Sequence, residues 1–214
     1  IVSGLSFWAG AVISALFSLI VFCFRSPLLD FVGADANTKG YCMQYLTWTV
    51  CIGGIATTMN PVMGYLVRGE GSSAQASIGV ALGGVLNMVL DPLFIFGFDL
   101  GVEGAAIATC LSNVAAVLYF LLFIRGQKRK DRTNILLKPQ REMWDLRLLR
   151  EIFVIGLPSF FLAIMSTISN IAATKLMSPY GSAALAAIGV SKKVNSTAFS
   201  ITQGLGQGVL PLVA

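Results

Sequence analysis

The sequence predicts an all-α polytopic membrane protein, with six transmembrane helices belonging to a larger chain. Three observations carry that prediction. Of 214 residues, 56% are hydrophobic and 12% charged, about half the charged fraction of an ordinary soluble domain. Mean hydropathy is +0.79, which leaves too little polar surface to coat a globule in water. The few charges also cluster, cutting the chain into apolar runs about 20 residues or more in length, enough to cross a bilayer. None of these runs alternates with the period of two expected of a barrel strand.

The spans follow in order. S1, residues 1–24, is free of charge. No basic segment precedes it, so a signal peptide describes it poorly. The chain opens on Ile1 inside this run and stops at Ala214 inside the last one, which reads as a fragment of a longer polypeptide. S2, residues 40–67, is charge-free and holds Pro61, a point of expected bending. S3, residues 71–98, is interrupted only by Asp91, and S4, residues 104–124, by no charge at all. Gly83 and Gly84 in S3, with Gly104, Ala105, Ala106 and Ala108 in S4, are small residues suited to close helix contact. S5, residues 152–174, contains Pro158, and S6, residues 176–214, contains Lys192, Lys193 and Pro211.

Orientation follows from the basic residues of alternate connectors. Arg68 lies between S2 and S3. Arg125, Lys128, Arg129, Lys130, Arg132, Lys138, Arg141, Arg147 and Arg150 lie between S4 and S5. Against those ten, the opposite connectors hold Arg25 and Lys39. The basic side is therefore expected to be cytoplasmic. The net charge of +5 reports this orientation rather than nucleic-acid binding. Residues 125–151 divide the chain into a four-span block, residues 1–124, and a two-span block, residues 152–214. This linker is a solvated basic loop that sets topology. Its second half is expected to include an in-plane helix, with Trp144, Leu148, Leu149 and Ile152 on one side and Arg147, Arg150 and Glu151 opposite. Asp145 interrupts the apolar side.

Enzymatic chemistry finds no support. There is no histidine, and no nucleophile–base or paired-carboxylate constellation. Cys23, Cys42, Cys51 and Cys110 lack Cys-x-x-Cys spacing and read as small apolar residues, so no metal site or cofactor is expected. Asp91 is the exception in the apolar runs. An intramembrane carboxylate is costly and marks ion or proton pathways. Such a group can serve as a place where a proton or a cation is taken up and released. Asn87 lies four residues earlier on the same helical face, and Pro92 withholds the N–H that would engage the Met88 carbonyl. These are hard oxygen ligands for Na⁺ or for a proton relay. The competing reading places Asp91-Pro92 at a wetted helix end. Gln44, Asn60, Asn113, Asn170, Gln203 and Gln207 can line a cavity or bond between helices. Lys192 and Lys193, about 100° apart on a helix, cannot face one direction; one can snorkel while the other faces the interior.

Residues 68–112, RGEGSSAQASIGVALGGVLNMVLDPLFIFGFDLGVEGAAIATCLS, resemble the multidrug and toxic compound extrusion (MATE) family. The shared features are Arg68 with Gly71, Asn87 with Asp91 and Pro92, and the run from Leu100 to Thr109. IGLPSF around Pro158 and the later SPYGSAALAAIGVS resemble the opening of that family's second lobe. The resemblance implies twelve helices in two lobes that rock around a central cavity, with S1–S6 as the third to eighth. It implies antiport of organic, often cationic, compounds against H⁺ or Na⁺, in the cell membrane. The alternative within the superfamily is a lipid-linked oligosaccharide flippase. By the same resemblance Asn87, Asp91 and Thr109 supply part of a cation site, completed by an Asp on the first helix, outside this sequence. S5 carries no acid and Ala173 stands at the pseudo-symmetric place, which argues against a second site there. The implied partners are small organic substrates, the bilayer and the missing parts of the same polypeptide. With about 1.5 Å of rise per residue, Asp91 lies about 12 Å inward of Asp99, and Thr109 about 9 Å inward of Glu103, similar depths on neighbouring spans.

Overall fold

The computed structural model describes residues 2–32, 36–130, 133, 135 and 146–213. It divides into two compact units, Ile1–Asp145 and Leu146–Ala214.

In the first unit, α1 (Val2–Val32) runs past the expected end of S1. Phe24 departs from helical geometry (φ −107°, ψ 17°) and Pro27 lies just beyond it. Proline has no N–H for the Cys23 carbonyl, so the helix kinks there instead of ending. The Arg25 guanidinium sits 5.0 Å from the Phe22 ring centroid. α2 (Ala36–Leu46) follows, tied back to α1 by the Lys39–Asp30 ion pair.

S2 is not one helix bent at Pro61. α2 passes into a π-helical segment, Thr47–Ile52, and then into α3, Gly54–Gly69. The two halves meet at 54°. At the break the Gly53 N–H donates to the Trp48 carbonyl at 2.8 Å. A Cβ at Gly53 would lie 2.9 Å from that oxygen and 3.0 Å from Cys110 Sγ, so the break occurs where backbone and α5 approach closely. Two α1 hydroxyls satisfy carbonyls beside it, Ser18 donating to Val50 at 2.7 Å and Ser14 to Gly54 at 2.9 Å. Such local repair is how broken helices persist in a membrane. α3 continues through Pro61.

α4 (Ser73–Pro92) follows a tight turn in which Gly71 has φ +79°, a conformation that glycine adopts without Cβ strain. A second π-helical segment, Leu93–Gly97, prolongs it. α5 (Gly101–Lys128) returns. Small residues let these helices close together: a Cβ on Gly79 would fall 2.4 Å from Phe120, and one on Gly83 3.2 Å from Ala116 Cβ. Gly84 has open space instead. Gly104, Ala106 and Ala108 are buried. Met63, Val67, Ala76, Phe120, Ile124 and Ile135 form a buried cluster. It places the end of α3, the start of α4 and the end of α5 together, with Arg68 and Arg125 adjacent in sequence.

The second unit pairs α6 (Leu146–Met177) with α7 (Ser182–Val213). A short 3₁₀ turn and Gly181, at φ +88°, join them. Residues 147–152 are the first turns of α6 itself, not a separate in-plane helix, because nothing in LRLLREIF interrupts helical continuity into the span. Trp144 and Asp145 lie outside the described residues. Among those described, four helices are long and apolar enough to cross a membrane, and the bent pair makes up to five. α7 has 32 residues, about 48 Å of helix. Its lysines, serines and glutamines leave it less apolar than the others.

Candidate cation-coupling site

Asp91 is the penultimate residue of α4, and the π-helical segment carries the helix on to Gly97. The i, i+4 spacing stacks Asn87 one turn before it. Asn87 Nδ2 donates to Asp91 Oδ1 at 3.1 Å and, more weakly, to Thr109 Oγ1 of α5 at 3.4 Å. The Thr109 hydroxyl donates to the Ala105 carbonyl at 2.9 Å, so its lone pairs face Asn87. All three side chains are partly buried. The three residues named from sequence thus meet across the α4–α5 contact, as their matching depths require.

The polar chain continues on the other side of Thr109. Asn113 Nδ2 donates to the Thr109 carbonyl at 2.9 Å, and Ser112 Oγ to the same oxygen at 3.0 Å. Asn60 Nδ2 of α3 donates to Asn113 Oδ1 at 2.9 Å. Asn60 and Asn113, two of the isolated polar residues of the sequence, are therefore an interhelical pair. Gln44, Asn170 and Gln203 are exposed, and the side chain of Gln207 lies outside the described residues. On α7, Lys192 is half-buried and Lys193 exposed; both belong to the other unit.

A further contact is not legible in the sequence. Trp48 Nε1 donates to Glu103 Oε1 at 2.8 Å, joining the π-helical segment to the first turn of α5. A pair 55 residues apart in sequence, one member aromatic, carries no periodic signal.

Comparison with known proteins fits this arrangement. The MatE family model matches residues 2–93. The multidrug export protein MepA of Staphylococcus aureus is 32% identical over the whole chain, which covers 46% of that protein. A variant of the Vibrio cholerae MATE transporter VcmN superposes with a TM-score of 0.80 at 25% identity, covering 99% of this chain and 47% of that one. The chain is thus similar along its length to proteins of the MATE family. MepA of Staphylococcus saprophyticus is 29% identical, again with 46% of its length covered. The chain spans about half the length of the curated relatives it matches. These relatives are a multidrug export protein and a MATE transporter, and the long apolar helices of this chain suit a membrane.

Proposed function

We propose that this chain is part of a MATE-type protein serving in multidrug efflux, a secondary antiporter exporting organic, often cationic, compounds against H⁺ or Na⁺. Residues 1–124 complete the first lobe, residues 125–151 form a cytoplasmic linker and residues 152–214 begin the second. Asp91 is the coupling group, with Asn87 and Thr109 as supporting ligands. The observation that carries the reading is the Asp91–Asn87–Thr109 contact across two helices, around a carboxylate within a membrane span. The amide of Asn87 donates to the charged carboxylate; turned over, it offers its oxygen to a cation. Binding or release of a proton or a cation at Asp91 alters the local charge. A bound ion can then bias an inward–outward equilibrium through its different affinity for the two states.

The test is ethidium efflux from proteoliposomes containing the full-length transporter, driven in turn by a pH and a Na⁺ gradient. Asp91→Asn is expected to reduce efflux to the protein-free background while leaving membrane insertion intact, because a neutral amide cannot cycle a proton. Normal efflux with unchanged ion dependence in Asp91→Asn overturns the assignment.

A further inference from the structure

One buried polar atom in the first unit has no account in the site above. Asn60 Oδ1 is sealed from solvent and accepts no hydrogen bond from the protein. Its orientation is fixed by its neighbours. The Thr109 carbonyl can only accept, so Asn113 must turn Nδ2 toward it and Oδ1 toward Asn60. Asn60 must then answer with Nδ2, which leaves its own oxygen without a donor. Flipping both amides would set Asn113 Oδ1 against the Thr109 carbonyl, oxygen to oxygen.

A second acceptor lies one turn earlier. Pro61 stands inside α3, so the Thr57 carbonyl lacks the N–H that an α-helix would give it. Asn60 is partly buried and Thr57, three residues earlier on α3, is exposed, so the Thr57 carbonyl is the more accessible of the two acceptors. An unsatisfied buried acceptor costs about 1–3 kcal/mol, and a buried water is the usual remedy where two or more polar groups converge. One water has two hydrogens to donate, one for each oxygen.

The place of this pair gives it a use. The basic end of the unit is marked by Arg68 on α3, Ser73 on α4 and Arg125 on α5, gathered by the buried cluster. Counting rise per residue from those levels, Asp91 stands about 27 Å from that end, Thr109 about 24 Å, Asn87 about 21 Å, Asn113 about 18 Å and Asn60 about 12 Å. The polar side chains descend from the carboxylate toward the basic side, and the unsatisfied oxygen is at the foot. The apolar cluster of Met63, Val67 and Phe120 closes the remaining distance, so it must part for an ion to leave.

We propose that Asn60 and the Thr57 carbonyl hold a buried water at the foot of this polar ladder, and that the ladder is the hydrated inward route by which the coupling ion leaves Asp91. The inference rests on the antiport reading above. Asn113 is a positioning residue: it turns Asn60 so that the oxygen faces the water.

Two measurements on the full-length transporter test it. The first looks for the water itself. Met63 is completely buried and lies three residues past Asn60 on the same face, so hydroxyl radicals from bulk solvent do not reach its sulfur. Pulsed X-ray radiolysis generates radicals from bound water in place. It is expected to oxidise Met63 in the parent protein and several-fold less in Asn60→Leu. No oxidation of Met63 above background overturns the proposal. The second measures transport. Asn60→Leu is expected to lower ethidium turnover about tenfold at saturating dye with little change in KM, and Asn60→Ser to recover most of that loss. Serine keeps an oxygen and makes room for water but is too short to reach Asn113. Recovery therefore separates a hydration site from simple helix cross-linking, whereas Asn60→Ser as slow as Asn60→Leu overturns the proposal. An active Asp91→Asn would instead sink the antiport reading, so the two failures are distinguishable.

Discussion

At the scale of single residues, the coupling site is a division of labour between one charge and two neutral ligands. Asn87 and Thr109 orient Asp91 but do not carry charge, so their loss should be milder than that of the carboxylate. Asn87→Ala and Thr109→Ala are expected to slow gradient-driven efflux by about three- to tenfold, the scale of one lost hydrogen bond of about 1 kcal/mol. They should also displace the pH or Na⁺ concentration of half-maximal transport, which a titration of initial efflux rates would reveal. Unchanged ion dependence in both variants would remove them from the site. The adjacent lysines of α7 pose a parallel question. Within the second unit Lys192 is half-buried and Lys193 exposed, and being adjacent on a helix the two cannot face one direction. Lys192→Ala is expected to alter transport and Lys193→Gln to be tolerated; equal, negligible effects would mean that both merely snorkel. Much of this site was legible in the sequence. Asn87 and Asp91 are linked by helical spacing alone, whereas Thr109 came from the family resemblance, with which its depth below a short turn agrees. The Asn60–Asn113 pair was not, because it depends on how α3 and α5 are rotated about their own axes, which a charge-free run leaves undetermined.

At the scale of elements, span lengths followed from where the charges fall, while the breaks within spans did not. Pro61 invites a kink, yet α3 passes through it and the chain breaks at Gly53. The cause is partly tertiary: the Gly53 N–H takes the Trp48 carbonyl five residues back, and Cys110 of α5 closes on the same point, an approach that helical spacing does not reveal. The same logic sorts the glycines. Gly83 and Gly84 are adjacent and look equivalent in sequence, but only Gly83 faces α5. Gly79 is tighter still, against the buried Phe120 ring. Gly79→Ala is expected to destabilise the protein by about 1–3 kcal/mol through overpacking. Gly84→Ala, with open space and a better helix former, should be neutral or stabilising by up to about 1 kcal/mol. Thermal unfolding of detergent-purified full-length protein would rank them. A Gly79→Ala variant as stable as Gly84→Ala would mean that α4 and α5 do not pack in this register. Trp48→Phe offers a test at the other end of α5. Losing the indole N–H that Glu103 accepts should lower stability by about 1–3 kcal/mol, the range for a bond to a charged group.

At the scale of the whole molecule, the decisive quantity is the asymmetry of charge across the membrane. The short turn between α3 and α4, together with the buried cluster of Val67, Ala76 and Ile124, puts the ends bearing Arg68, Arg125 and Lys128 on one side. On the other side, Lys39 is neutralised by Asp30, which weakens an already small basic count. Basic residues of short connectors favour the cytoplasmic side, and with ten against two we expect this end to face the cytoplasm. The inward route from Asp91 has meaning only in this orientation, since the ladder through Asn113 and Asn60 descends toward the basic end. Gln127, in the last turn of α5, reports that end directly. In full-length protein with its native cysteines replaced, Gln127→Cys should react with a membrane-impermeant maleimide in inside-out vesicles and stay unlabelled in intact cells. Labelling from outside intact cells would invert the topology. The ladder would then open outward, and Asn60 would stand on the entry side of Asp91 instead of its exit.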